Sequence, residues 1–324
     1  MNSTTSHHVA IYVGSMVLVA GNIGSLLNLI LFFYFRSLKA NSCSIYLLLA
    51  SSISDLVQLN SVLVLRILAD GFNYDLLSRY VFVCKFRNYI AQVTSMSTHT
   101  FIILASVERY ILTLSCRVRK PSNTFLFIAI TVVFWTVMSV THLIFSEVYL
   151  VNDRKQCGPR NGPYTVYFLL FGILIFTLTP LCLMSIFGYL TLRHVQNIAK
   201  YTKRYITIQI GKRIEKVDEH LTRMLLMQII LTVLSTIPFS IDYTYSVLTM
   251  NTFKNRERLK LEKLFSLLAK LLFHIHTCAA FYVYLFTSSM FRKQFQRLMK
   301  TLPIIRHYTI QRRFKNIKLI KQYA

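Results

Sequence analysis

Charge, glycine, proline and tryptophan are all scarce in this chain of 324 residues. Charged side chains make up 15%, against about 25% in a soluble domain, so most of the surface does not face water. Acidic residues number 12 against 37 basic ones, a net +25. Such an excess could suit nucleic acid, but here the charge lies between long apolar stretches, and no nucleic-acid partner is expected. Nine glycines and six prolines exclude collagen and most disordered chains. The phosphate-cradling patterns GxGxxG and GxxxxGK[ST] are absent, and so is the zinc-helix pattern HExxH. The six cysteines form no CxxC pair and are too few for a disulfide scaffold. No catalytic centre, metal or cofactor is expected, and the chain does not read as an enzyme.

What is abundant is apolar sequence, at 54% of residues. Nothing from Met1 to Phe35 carries a formal charge, so the basic start of a secretory signal peptide is missing. The apolar stretch from about Val9 to Phe35 is long enough to cross a ~30 Å hydrocarbon core. Six more stretches follow, near 43–68, 81–114, 122–147, 162–192, 221–249 and 261–287. Backbone in lipid must satisfy its own hydrogen bonds, which leaves helices or barrel strands. Near-continuous apolar runs of this length are helices. The third is diluted by Lys85, Arg87, Asn88, Gln92, Thr94, Ser95, Thr98 and His99, which predicts a helix facing protein on all sides. The fold class expected is an all-α membrane protein, a seven-helix bundle over 9–287 after a short N-terminal segment, 1–8. Residues 288–302 follow with Phe291, Phe295, Leu298 and Leu302 at helical spacing among Arg292, Lys293, Arg297 and Lys300, before Pro303. That reads as a short amphipathic helix lying on the membrane. The basic tail 303–324 should be attracted to anionic inner-leaflet lipid.

Lysine and arginine in the connections set the orientation. One set of connections contains Arg36, Lys39, Arg117, Arg119 and Lys120, then a 193–223 segment with eight basic and three acidic residues. The tail from Arg292 adds ten basic residues and no acid. The opposite set (66–79, 147–160 and 254–263) is far less basic. The tail is therefore expected in the cytoplasm and the N-terminus outside, where Asn2-Ser3-Thr4 is a glycosylation sequon.

Single residues inside the spans form a pattern in chain order. The first span holds Asn28, the second Asp55, and the third Cys84 followed 25 residues later by Glu108-Arg109-Tyr110. Trp135 lies in the fourth span, Pro180 in the fifth and Pro238 in the sixth. Tyr284 ends the seventh, followed by Phe291-Arg292. Together these markers resemble the rhodopsin-like family of G-protein-coupled receptors, over nearly the whole chain. The resemblance implies a receptor in the plasma membrane that binds an extracellular ligand and activates a heterotrimeric G protein.

It also implies roles for particular residues. Cys84 would be bridged to Cys157 in the second outer loop; the other reading is two unpaired thiols. Arg109, about 37 Å of helix from Cys84, lies at the inner face. It would pair with Asp218 (Glu219 is adjacent) to hold the third and sixth helices together, and breaking the pair would open a groove for the G protein. The plainer reading is an arginine snorkelling to the interface. Pro180 and Pro238 would kink their helices. Asn28, Asp55, Thr98 and His276 would form an intramembrane polar core, which in the family is part of a sodium pocket. Here His276 and Ala280 replace two amides, so an Asp55–His276 hydrogen bond is the alternative. The sequence departs from the family further on. Ser235-Thr236-Ile237-Pro238 lacks the tryptophan, Ala280-Phe281-Tyr282-Val283-Tyr284 lacks the Asn-Pro, and His99, Thr232 and Gly188 are unusual at their positions.

Two ligand classes are disfavoured. The position that holds an aspartate in amine receptors is Ala91, and the retinal-lysine position of opsins is His274, with Lys270 one turn away. Arg66, Arg87, Asp242 and Lys270 at the outer helix ends suit a peptide, with cations for a carboxylate and Asp242 for a basic group. Solvated helix ends with mutual ion pairs such as Asp242–Lys270 are the plainer reading. An odorant or lipid receptor of the same fold is the alternative function. A transporter fits less well, because no internal repeat is apparent.

Overall fold

The computed structural model describes residues 3–37, 43–72, 74–115, 121–151, 154–159, 163–202, 209–249, 252 and 255–301. Among them seven helices are long and apolar enough to cross a membrane. They are α1 (Ser3–Ser37), α2 (Cys43–Phe72), α3 (Val81–Ser115), α4 (121–145), α5 (163–202), α6 (Gln209–Leu248) and α7 (Arg256–Thr287). A shorter α8 (Ser289–Thr301) follows.

Packing follows from what each helix can offer. At Gly21 of α1 an added Cβ would sit 2.7 Å from Leu59 of α2 and 3.4 Å from the backbone of Cys278 on α7. The bare backbone lets three helices meet there, as small residues do in lipid, where apolar surface alone gives no drive to associate. α3 is buried along most of its length, with Met96, Phe101, Ile102 and Ala105 at its centre. α4 and α5 instead present Leu126, Val133, Val137, Leu174 and Ile186 outward, the surface expected to meet lipid.

The helices run further than the apolar stretches. Residues expected in the connection 193–220 are largely helical, because α5 continues to Thr202 and α6 starts at Gln209. Likewise α7 starts at Arg256 inside the charged 254–263 segment. Lys, Arg, Glu and Gln are good helix formers, and no proline intervenes, so leaving the apolar segment does not end the helix.

The connection between α4 and α5 departs from an all-helical reading. Ser146–Val151 (β1) and Arg154–Pro159 (β2) form an antiparallel hairpin with Val148 opposite Cys157. A disulfide joins Cys157 to Cys84 near the start of α3, with the Cα atoms 5.7 Å apart. This places the hairpin against one end of the bundle, here called the disulfide end. Arg109 lies near the other end of α3.

At that other end α8 is fastened to the bundle. Ser288 caps it through a bond from the Phe291 N–H to its Oγ, 3.2 Å. Arg292 donates to the carbonyls of Phe286 (2.7 Å) and Leu285 (3.2 Å), covering acceptors left open where α7 ends. Phe291 is fully buried against Phe32, Phe281 and Tyr284. Arg292, Lys293, Arg297 and Lys300 lie on the outer side.

Candidate functional site

α3 carries a cluster of candidate side chains at each end and a third in the middle. At the Arg109 end, Glu108 and Arg109 are buried at 6% and 2% exposure. Glu108 accepts a hydrogen bond from the Cys43 N–H at 2.9 Å and another from the Ser44 hydroxyl. Cys43 begins α2, so this carboxylate satisfies a free helix-start N–H and sits where the helix dipole favours negative charge. Arg109 Nε in turn donates to the Ser44 Oγ at 2.9 Å. Ser44 therefore stands between the two charged residues, giving a proton to one and accepting from the other. The Asp218 side chain, expected as the partner of Arg109, lies outside the described residues. Tyr110 packs on Phe187 of α5, and Tyr284 on Phe32 of α1. Beside Arg109 a narrow crevice between α3, α5 and α6 is lined by Ser106, Gly188, Thr191, Thr222 and Leu225.

In the middle, Asp55 is buried and accepts from the Thr98 hydroxyl at 3.1 Å. The Asp55–His276 bond, the alternative to a sodium pocket, is not formed. His276 Nδ1 lies 2.5 Å from the Phe273 carbonyl of its own helix, and its ring stacks on His99, 5.7 Å away. A local carbonyl three residues back competes better than a carboxylate on another helix, because its position is set by α7 itself. Asn28 is buried with no hydrogen-bond partner for its Oδ1 among the described residues. Both ring nitrogens of His99 are likewise unpartnered. Above this pair, Phe176 (α5), Phe239 (α6) and Phe273 (α7) meet with ring centres 4.7–5.9 Å apart. Sequence reading missed this aromatic cluster. Its one visible signal was that Phe239 directly follows Pro238, which interrupts the hydrogen-bond ladder of an otherwise continuous α6. In α5, Pro180 follows a π-helical stretch, Phe171–Leu178, where Thr179 Oγ1 donates to the Leu174 carbonyl at 2.7 Å.

At the disulfide end the charged candidates from four helices converge. Arg66 and Asp70, one turn apart on α2, pair at 3.2 Å. On α6 and α7, Asp242 accepts from Ser266 at 3.0 Å and faces Lys270 at 3.9 Å, while Lys270 Nζ donates to Ser266 at 2.5 Å. Arg87 of α3 donates to Asn88 at 3.2 Å, and its Nε is buried without a hydrogen-bond partner. Asn88 also reaches Ser146 and the Cys157 sulfur, which places it directly beneath the hairpin. Lys270 lies within electrostatic range of Arg66, Arg87, Asp70 and Asp242. His274 is buried, with Nδ1 unpartnered, and lies within range of Arg66 and Arg87. Ala91 leaves the next turn of α3 without a charge. Asn2 and the tail beyond 301 lie outside the described residues.

Seven helices long and apolar enough to span a membrane, with a disulfide-pinned hairpin at one end and a buried arginine at the other, frame these three clusters. A family model described as 7 transmembrane receptor (rhodopsin family) matches residues 24–284. The chain belongs to that family, the rhodopsin-like G-protein-coupled receptors, and is a multi-pass membrane protein. Among curated proteins none matches the chain significantly.

Proposed function

We propose that this receptor sits in the plasma membrane with its N-terminus outside, binds an extracellular peptide at the disulfide end, and activates a heterotrimeric G protein at the Arg109 end. The observation that carries the reading is the layout of α3. One rigid helix brings Arg87 to a charged mouth under the hairpin and, about 33 Å along by its rise per residue, Arg109 to the crevice between α3, α5 and α6. Ligand contacts at the mouth would shift the balance between a closed and an open crevice only so far as they favour the open form. A charged mouth with both signs present favours a peptide over an odorant or a lipid. The basic tail and α8 would hold anionic inner-leaflet lipid.

The switch is a lock between Arg109 and Asp218, with Glu108 and Tyr110 positioning the arginine and Tyr284 bracing α7 against α1. Basal signalling of Asp218→Ala in cells carrying a promiscuous G-protein reporter tests it. A rise over the parent at equal surface expression is expected, and unchanged basal activity would remove the lock. A peptide library screened in the same cells then identifies agonists. Asp242→Asn and Lys270→Met receptors that keep full agonist potency would mean that these two serve only each other.

A further inference from the structure

We infer that the disulfide end contains a site for a single anionic group, a carboxylate or phosphate, held by Arg87 and His274, and that Asp70 and Asp242, both ion-paired, do not receive a basic group. The inference deepens the receptor reading above and rests on it only for which end meets the ligand. It comes from counting commitments. Among the described cations that face one another there, Arg66 is ion-paired with Asp70, although its Nε makes no hydrogen bond, and Lys270 is held by the Ser266–Asp242 pair. Both carboxylates are thereby ion-paired, although Asp70 Oδ2 accepts no hydrogen bond. Arg87, unlike Arg66 and Lys270, has no close carboxylate; Lys85, on the same turn, donates to the Ile144 carbonyl. Its one hydrogen bond is to a neutral amide, and its Nε is buried with nothing to donate to. Asp70 lies in range, but its bridge goes to Arg66.

A buried guanidinium donor left unsatisfied is costly, and an arriving anion removes that cost with a charge-assisted bond. In its Nδ1–H tautomer His274 adds a second donor from α7. It is 4% exposed, its Nδ1 has no partner among the described residues, and it lies within electrostatic range of Arg87. Ala91, one turn further along α3 from Arg87, puts no acid in the way. Arg87 is bonded to Asn88, which touches the Cys157 sulfur, so an anion drawn to Arg87 would sit under the hairpin. The acid could be the C-terminus of a peptide or the headgroup of a single-chain lipid.

The test uses the full-length receptor purified in nanodiscs, with its melting temperature followed during titration. The probes are a pool of short synthetic peptides with free C-terminal carboxylates, the same pool amidated, and dodecyl phosphate. The expected result is saturable stabilisation by the acid-form pool, about tenfold weaker in Arg87→Gln, with little from the amidated pool. Ala91→Asp, which offers Arg87 an internal partner one turn away, should weaken binding comparably and covers the case in which Arg87→Gln does not fold. Stabilisation by dodecyl phosphate alone, lost in Ala91→Asp, would keep the anion site and remove the peptide reading. Equal response to both peptide pools, or anion binding indifferent to Arg87→Gln and Ala91→Asp, would overturn the site and leave the receptor reading standing.

Discussion

Ser44 shows how one small side chain can govern two charged ones. Its hydroxyl donates to Glu108 and accepts from Arg109, and it is fully buried. A hydrogen bond to a charged group is worth about 1.5–3 kcal/mol. Ser44→Ala should therefore loosen Arg109 from α2 and raise basal signalling several-fold, whereas Ser44→Thr should restore the parent level. Reporter activity at matched surface expression decides between these outcomes, and an inert Ser44→Ala would make the relay a packing detail. Gly172 is a second such residue. A Cβ there would lie 2.3–2.6 Å from the Tyr243 ring, whose hydroxyl donates to the Phe168 carbonyl at 2.6 Å. Gly172→Ala should cost about 1–3 kcal/mol by overpacking, read as a lower melting temperature, and Gly172→Ala with Tyr243→Ala should recover part of it. The Glu108-Arg109 pair stood out in the sequence because two adjacent charges close an apolar span. Ser44 was not, because its partners lie more than 60 residues away and only the packing of α2 on α3 brings them together.

Two elements carry most of the restraint at the ends of the bundle. The hairpin β1–β2 was not legible as strands, since short strands inside a charged connection show no periodicity that separates them from loop. Its disulfide spans 73 residues of chain, and losing a native bridge typically costs about 2–5 kcal/mol. Cys157→Ala should lower the melting temperature by several degrees. It should also weaken any ligand held beneath the hairpin, as measured by saturation binding once an agonist is known. At the opposite end α8 was legible from its spacing of Phe291, Phe295 and Leu298 between basic residues. Its docking depends on Phe291, which meets Phe32, Phe281 and Tyr284. Phe291→Ala removes a fully buried ring at a cost of about 3–5 kcal/mol. It should reduce surface expression and the thermal stability of the purified receptor, whereas Lys293→Ala, on the exposed side, should change neither.

On the scale of the whole molecule, the strong bias of lysine and arginine toward one set of connections predicts that the C-terminus stays inside. An epitope tag after Ala324 should be reached by antibody only in permeabilised cells, and a tag before Asn2 in intact ones. The reverse result would invert the assignment of sensing and signalling ends. The number of spans, their order and the end of α3 that holds Arg109 could be anticipated from the chain, and the Cys84–Cys157 bridge from the family resemblance. Hydrocarbon thickness and backbone hydrogen bonding leave a polypeptide in lipid few alternatives, and those constraints act on local sequence. The tertiary structure alone decided which polar groups found partners. Asp55 bonds Thr98 rather than His276, His276 stacks on His99, three phenylalanines fill the centre, and Arg87 bonds a neutral amide rather than a carboxylate. Such pairings depend on distances between helices far apart in sequence, which residue spacing along one helix does not encode.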